Sequence, residues 1–395
     1  MNTRTAVVLG ASLTQYTIIG LFVSSGLFFG SFAEEFGWSR AVLSGASALT
    51  VIVMGLLAVV AGQLNDRFGP RPVLAVTGLA YGVGYALMSQ MTAAWQLFVI
   101  YGLFLGLGSA SHDVVTLSTV ARWFQARRGI MTAVIKVGTA VGQVTVPPVV
   151  ALLVAGLGWR SAVLVLGITA AVLLLGAALM MRAPQAPQSP KAQDIPLSGA
   201  SFAQARRSRV FWTLCAVQFL FFPTLMTLPL HLPAHGGDLG MTATRAALVI
   251  SVMGGASILG RLAVGAAIDR IGGRLSYLLC LTVLIVALAP MTVVTGHGAL
   301  FACVGVYGVA HGALFVVVSP SVAEYFGMRA HGAIFGAVLL CGTVGAAVGP
   351  ILAGIVFDRT GAYTMAFVTL LVMNAAAFAL ILSLPKRGQA PHMAV

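Results

Sequence analysis

Of 395 residues, 59% are hydrophobic and only 8% are charged. A soluble domain carries charge at about a quarter of its positions, so this composition excludes one. The formal net charge of +13 would suggest nucleic acid in a soluble chain, but here the basic residues fall between apolar runs and follow a different logic.

Cutting the chain at charged and turn-rich points leaves twelve apolar runs of spanning length, near 7–31, 42–62, 72–91, 95–121, 129–154, 160–181, 210–232, 246–268, 275–295, 298–323, 332–356 and 363–384. The first run is too long for a signal-peptide core and lacks a cleavage site, so it reads as a retained helix. It ends in the outer loop FAEEFGWSR, Phe32 to Arg40. The second runs into GQLNDRFGPRPV, Gly62 to Val73, which is matched by GAAIDRIGGRLS, Gly265 to Ser276, 203 residues later. Both read G-x-x-x-D-R-x-G-x-R. VARWFQARRGI from Val120 pairs with VAEYFGMRAHGAI from Val322, and GTAVGQ from Gly138 echoes GTVGAA from Gly342. The chain is therefore a repeat of two six-helix halves, 1–182 and 210–395. Between them, 183–209 is rich in Pro, Gln and Ser and reads as a cytoplasmic linker.

With the N-terminus inside, sixteen basic residues fall on inner segments, Lys191 and Arg387 among them, and four on outer ones: Arg40, Arg160, Arg245 and Arg359. This bias places both termini in the cytoplasm and makes the basic charge a topology signal, with no nucleic acid partner. The four cysteines, Cys215, Cys280, Cys303 and Cys341, lie in apolar runs and read as small packing residues.

Few charges lie at depth. Asp113 stands ten residues before Trp123, about 15 Å along a helix. Lys136 lies eight residues past Arg128 and Arg261 eight before Asp269, each about 12 Å from the inner face. Three charges on the fourth, fifth and eighth runs thus share one depth and sum to +1, which asks for an anion. A guanidinium at that depth costs roughly 2.5–3.5 kcal/mol on insertion scales, so Arg261 should face a bundle interior or aqueous cavity. Each residue has a second reading. Asp113 and Lys136 suit a structural ion pair, Arg261 could brace carbonyls, and His112 could be a packed polar group. Tyr307 and His311, one turn apart on the tenth run, suit cavity lining or packing equally. Gln143 is a weaker candidate.

Twelve spans in two halves with paired D-R-x-G turns resemble the major facilitator superfamily. The resemblance covers the whole chain. It implies an all-α membrane protein of two pseudo-symmetric six-helix bundles with a cavity alternately open to each side. It makes Asp66, Arg67 and Arg71, with Asp269, Arg270 and Arg274, a gating clamp, although Pro70 stands where a basic residue is usual. Arg261 stands four residues after Ser257 and four before Gly265, with Gly260 adjoining. That context resembles the eighth helix of monocarboxylate transporters and oxalate:formate antiporters, where the arginine pairs with the substrate carboxylate. The FGWSR loop and the R-W-F-x-x-R-R-G turn are similar to the bacterial branch. Two departures stand out: Ser257 replaces an acidic residue of the animal carriers, and Leu339 and Leu340 occupy the place of a second basic residue of the oxalate carriers. Lys136, on the repeat mate of that helix, offers a second cation.

Other classes lack their residues. No Gly-Lys pair exists for an ATP-binding loop. Gly106 to Gly108 lies inside an apolar run, and no Cys/His cluster has metal spacing, so neither metal, cofactor nor enzyme chemistry is expected. The expectation is a monomeric secondary carrier in a bacterial-type inner membrane, moving a small organic anion, a monocarboxylate, with a proton. Arg261, Lys136, His112, Tyr307, His311 and Gln143 would bind substrate, and Asp113 with His112 the proton. Two rivals remain: an oxalate:formate-type exchanger, and a drug/proton antiporter, which would prefer an acidic, aromatic cavity.

Overall fold

The computed structural model describes residues 2–38, 40–184 and 199–386. Most of the expected linker, together with Lys191, Arg387 and Ser39 of the outer loop, lies outside the described residues.

Every named element is helical. Nine helices among the described residues are long and apolar enough to cross a membrane. Two of the nine are interrupted. Arg128–Met180 breaks at Gly158 (φ 74°), and Ala243–Met291 breaks at Gly272 (φ 81°). Positive φ is where glycine replaces other residues without strain, so each break is a tight turn between two spans. This resolves the nine into eleven, and Pro70–Met88 is the twelfth. In chain order the helices are α1 Thr3–Phe28, the short outer α2 Phe29–Phe36, α3 Arg40–Phe68, α4 Pro70–Met88 and α5 Ala94–Trp123. Then come α6 (128–157), α7 (159–180), the one-turn α8 Phe202–Ala205, α9 Arg209–Asp238, α10 (243–271) and α11 (273–291). Last are α12 His297–Phe326, α13 His331–Thr360 and α14 Thr364–Leu382.

The spans are apolar all round, with polarity turned inward. On α4, Thr77, Tyr81 and Tyr85 are buried, while Val76, Leu79, Val83 and Leu87 are exposed one turn apart. Exposed aliphatic faces of this kind suit lipid. The tyrosines reach α1, where Tyr81 and Tyr85 donate to the carbonyls of Ile18 (3.0 Å) and Leu21 (2.7 Å).

The described part of the expected linker is not all extended chain. Ser201 and Gln204 form a reciprocal cap at α8. Just before it, Ala200 N–H donates to the Phe326 carbonyl at 2.9 Å.

Contacts divide the chain into two compact units. Unit 1 comprises Met1–Gln125, Val134–Ser198 and Met328–Gly336, and unit 2 Ala126–Ala133, Gly199–Gly327 and Ala337–Val395. Each unit is one half of the repeat plus a short segment from the other. The repeated turns explain these segments. In unit 1, Asp66 accepts from the backbone N–H of Gly332 (3.2 Å) and Ala333 (3.1 Å), at the start of α13. In unit 2, Asp269 accepts from Gly129 (2.8 Å) and Ile130 (3.3 Å), at the start of α6. Both carboxylates meet orphan donors at the positive end of a helix. The last residues of the turns do the opposite job. Arg71 donates to the Leu179 carbonyl (2.8 Å) and Arg274 to the Leu382 carbonyl (3.0 Å), capping the C-terminal ends of α7 and α14. Arg67 and Arg270 are exposed, Arg67 lying against the Phe68 ring. Asp66 also pairs with Arg122. The motif thus engages helix ends through its carboxylates and its last arginines, beside the ion pair of Asp66 with Arg122.

Candidate substrate and proton site

In unit 1 the polar centre forms where α5 is irregular. A π-helical turn covers Ile100–Leu105, and the helix pauses at Ala110 and Ser111 before resuming at His112. Gly108 is forced by packing, since a Cβ there would lie 2.6 Å from the Tyr81 side chain. The pause changes the hydrogen-bond accounting: the His112 ring Nδ1 faces the Ser109 carbonyl at 2.6 Å, and Thr116 donates to the His112 carbonyl. Broken backbone at membrane depth persists only where protein or a cavity satisfies it. Asp113 therefore sits in the first turn of a restarted helix, a favourable place for a carboxylate.

Lys136 of α6 forms an ion pair with Asp113 Oδ1. The lysine side chain is 3% exposed and the aspartate 15%, so the pair is largely desolvated. His112 Nε2 lies 3.6 Å from Asp113 Oδ2. Gln15 of α1 completes the arrangement. Its amide nitrogen faces Asp113 Oδ1 (2.8 Å), the His112 carbonyl (3.0 Å) and the Thr116 hydroxyl (3.1 Å). Its amide oxygen accepts from Thr139 at 2.9 Å. The structure therefore brings together His112, Asp113 and Lys136, and adds Gln15, Thr116 and Thr139. Gln143 is only partly buried, two turns past Lys136 on the same face of α6, and is not among the groups bonded to Asp113. Gln15 is the residue that sequence reasoning missed. Its signal was the cluster Thr14, Gln15 and Thr17 in an otherwise apolar run, all three buried.

In unit 2, Arg261 of α10 is 1% exposed, and its Nη1 donates to Ser257 Oγ at 2.7 Å. Ser257 thus occupies the guanidinium with a neutral partner, one turn back on the same helix. Close packing holds this part of α10 against α12. A Cβ on Gly260 would lie 1.9 Å from the Val309 carbonyl oxygen, and one on Gly312 equally close to that of Ser257. Small residues are what let two helices touch by backbone in this way. His311, beside Gly312, is 5% exposed and within electrostatic range of Arg261. Tyr307, one turn earlier, is fully buried and donates to the Thr224 carbonyl of α9 at 3.2 Å, with its ring 5.6 Å from His311. The next carbonyl, that of Leu225, belongs to the residue four before Pro229, which has no N–H to offer it. Tyr307 therefore ties α12 to α9 within its proline-containing stretch.

Charge also gathers in unit 1 where α2 and the start of α7 meet the chain that follows α4. Arg160, at the start of α7, donates to Glu35 (2.6 Å) and to the carbonyls of Ser89 (2.7 Å) and Met91 (3.1 Å). The guanidinium lies 4.4 Å from the Trp159 ring, whose own N–H donates to Glu35 at 2.7 Å. These bonds, that from Arg160 first, hold the Glu35 carboxyl below its usual range. A cavity of about 420 Å³ beside this cluster is lined by Ser89, Gln90, Thr92, Arg160, Ser161 and Leu164. No group of three or more metal-ligating side chains occurs among the described residues.

With this geometry in hand, the chain was compared with known proteins. It matches the family described as Major Facilitator Superfamily over residues 7–295 and 232–392. Among curated relatives, Monocarboxylate transporter 13 of Rattus norvegicus is 27% identical over 96% of this chain and 88% of its own length. Monocarboxylate transporter 11 of Mus musculus is 30% identical over 88% of this chain and 80% of its own. Among solved structures, the human organic anion transporter MFSD10 superposes with a TM-score of 0.72 at 20% identity, covering 96% of this chain and 98% of that one. The proton:xylose symporter XylE does so with 0.73 at 15% identity, covering 98% of each.

Proposed function

Because the chain belongs to the major facilitator superfamily, and is therefore a multi-pass membrane transporter and not an enzyme, we propose that it carries a small monocarboxylate together with a proton. The observation behind this reading is a pair of buried ionic centres. One is Arg261, whose planar fork matches two carboxylate oxygens and which donates to the neutral Ser257 hydroxyl. The other is the Asp113–Lys136 pair, in which one cation is already offset by a carboxylate. The relatives named for monocarboxylates support the substrate class. A drug/proton antiporter fits less well, because two buried cations against one carboxylate do not favour a cationic cargo.

Coupling follows from charge. With Asp113 ionised, Asp113, Lys136 and Arg261 sum to +1. Protonating Asp113 raises the sum to +2 and frees Lys136, and a bound monocarboxylate returns it to +1. Loaded and empty carriers then cross with equal site charge, and proton and anion move together without net current. In this scheme His112, against Asp113, assists the proton, and Tyr307, His311 and Gln143 complete the substrate surface. The Asp66 and Asp269 turns, with Arg67, Arg71, Arg270 and Arg274, govern the inner gate. Both termini face the cytoplasm of a bacterial-type inner membrane, following the inner excess of Lys and Arg, and the carrier works as a monomer.

The test is uptake of labelled carboxylates into proteoliposomes, with and without a pH gradient. Acid outside should drive accumulation. Arg261→Lys keeps the charge but loses the fork, and uptake should fall at least about tenfold while membrane insertion is unchanged. A folded Arg261→Ala carrier that transports as well as the parent would remove the anchor, and accumulation indifferent to pH would favour the exchanger.

A further inference from the structure

Gln218 of α9 is fully buried, yet neither its amide oxygen nor its amide nitrogen has a hydrogen-bond partner among the described residues. A buried amide left this way forfeits the bonds it made in water, and native proteins seldom tolerate that without a use. The repeat shows how unusual the position is. Gln218 lies 203 residues after Gln15, the same interval that separates Asp66 from Asp269. Gln15 is saturated by Asp113, Thr116, Thr139 and the His112 carbonyl. In the second half those partners are gone. The match of Val120 with Val322 places Phe315 at the position of Asp113 and Val318 at that of Thr116. The match of Gly138 with Gly342 places Leu340 at Lys136 and Thr343 at Thr139. Thr343 has turned to the Leu339 carbonyl, 3.0 Å away. The amide persists while the network around it has become apolar and aromatic.

The surroundings point to a ligand. Gly342 of α13 packs directly against the side chain: a Cβ there would lie 2.7 Å from Gln218 Cγ and 3.2 Å from both its Nε2 and the Phe222 ring, so only glycine lets the amide sit beside Phe222. Phe222 meets Phe315 edge to face at 5.6 Å, and Phe315 lies 5.1 Å from His311. The His311 Nδ1 is likewise buried without a partner. His311 in turn lies within electrostatic range of Arg261. Counted from the inner ends of their helices, Gln218 is nine residues deep and Arg261 eight before Asp269, both about 12–14 Å.

We propose that Gln218 is a substrate-binding residue that reads a second oxygen function, a hydroxyl or keto oxygen, on a cargo whose carboxylate Arg261 holds. The inference rests on the reading of Arg261 as the carboxylate anchor. The amide can donate to either oxygen and accept from a hydroxyl, while Phe222 and Phe315 cover the carbon skeleton. A site with an unfilled polar group discriminates strongly against the analogue lacking the matching oxygen, because the group then stays unpaired.

The experiment measures kcat/KM for labelled propionate, lactate and pyruvate in proteoliposomes. The wild-type carrier should prefer lactate or pyruvate to propionate by about tenfold or more. Gln218→Leu should bring that ratio close to one by losing the substituted acids and keeping propionate. Because leucine removes an unpartnered amide, the variant should unfold in detergent at the same temperature as wild type or higher. Gln218→Asn, with the amide on a shorter stem, should retain part of the preference. Uptake of all three acids with a ratio unmoved in Gln218→Leu would overturn this inference alone. A wild-type carrier that moves none of them would sink the monocarboxylate reading and this inference with it.

Discussion

Asp113→Asn separates a coupling residue from a mere counter-ion. The side chain stays the same size, and Gln15 and His112 can still bond it. The charge opposite Lys136 disappears, although that lysine is 3% exposed. Removing one member of a buried pair costs about 3–5 kcal/mol, because the other charge is left unpaired in a poor solvent. The single variant should therefore unfold at a lower temperature in detergent. Asp113→Leu with Lys136→Met should regain most of that loss, since buried pairs are often replaced by apolar residues at little cost. The transport assay then decides. In Asp113→Asn, Lys136 is permanently available to an anion, so the loaded carrier crosses as before. The empty carrier must return with an uncompensated cation, which is slow. The variant should exchange labelled for unlabelled carboxylate across the membrane yet fail to accumulate it when driven by pH. Accumulation that survives the substitution would refute the reasoning and move the proton to His112 or His311.

The inner turns and the outer cluster give two further tests. Asp269→Asn removes the carboxylate that accepts from Gly129 and Ile130, bonds of 2.8 and 3.3 Å, of which the second is weak. A loss of about 2 kcal/mol corresponds to roughly thirty-fold faster hydrogen exchange at those two amides. Asp66→Asn should do the same at Gly332 and Ala333, and an increase under threefold in both would mean that the carboxylates do not hold these helix ends. Glu35 has a folded pKa below its ordinary value of 4.5. Its contribution to stability is present above the unfolded value and is lost only as pH falls through the lower, folded one. The Glu35–Arg160 contact is therefore ionised throughout pH 5–8, and Glu35→Gln should leave the pH profile of uptake unchanged. A displaced profile would place part of the proton chemistry on the outer face.

The fold was legible because bilayer thickness leaves a coarse and strong mark. Run lengths, the D-R-x-G repeat and the depth of Asp113, Lys136 and Arg261 could all be counted along the chain. The structure buries two of those charges, Lys136 and Arg261, and leaves Asp113 half-buried beside the lysine. Sequence did not show what the turns do. Asp66 and Asp269 accept from backbone N–H groups, and Arg71 and Arg274 donate to backbone carbonyls, which no side-chain pattern records. Gln15 was hidden for a related reason: a neutral amide raises no alarm at depth, and its importance lies in four partners, three on α5 and one on α6. Tyr307 and His311 illustrate the limit of spacing. One turn apart, they share a face, but the Thr224 carbonyl that Tyr307 meets belongs to α9, and spacing along α12 cannot show it.

The backbone contact between α10 and α12 constrains how the second unit can move. At Gly260 and Gly312 the main chains touch with no side chain between them, so one helix cannot slide or roll along the other without collision. Sliding depends on side chains that can change rotamer, and here there are none. Any displacement that carries Arg261 must carry Tyr307 and His311 with it as a single plank. The freedom lies at the ends of that plank, at Gly272, where φ is 81°, and in the short connection that ends at Gly296, before α12. The same plank also holds α9, through the bond from Tyr307 to the Thr224 carbonyl.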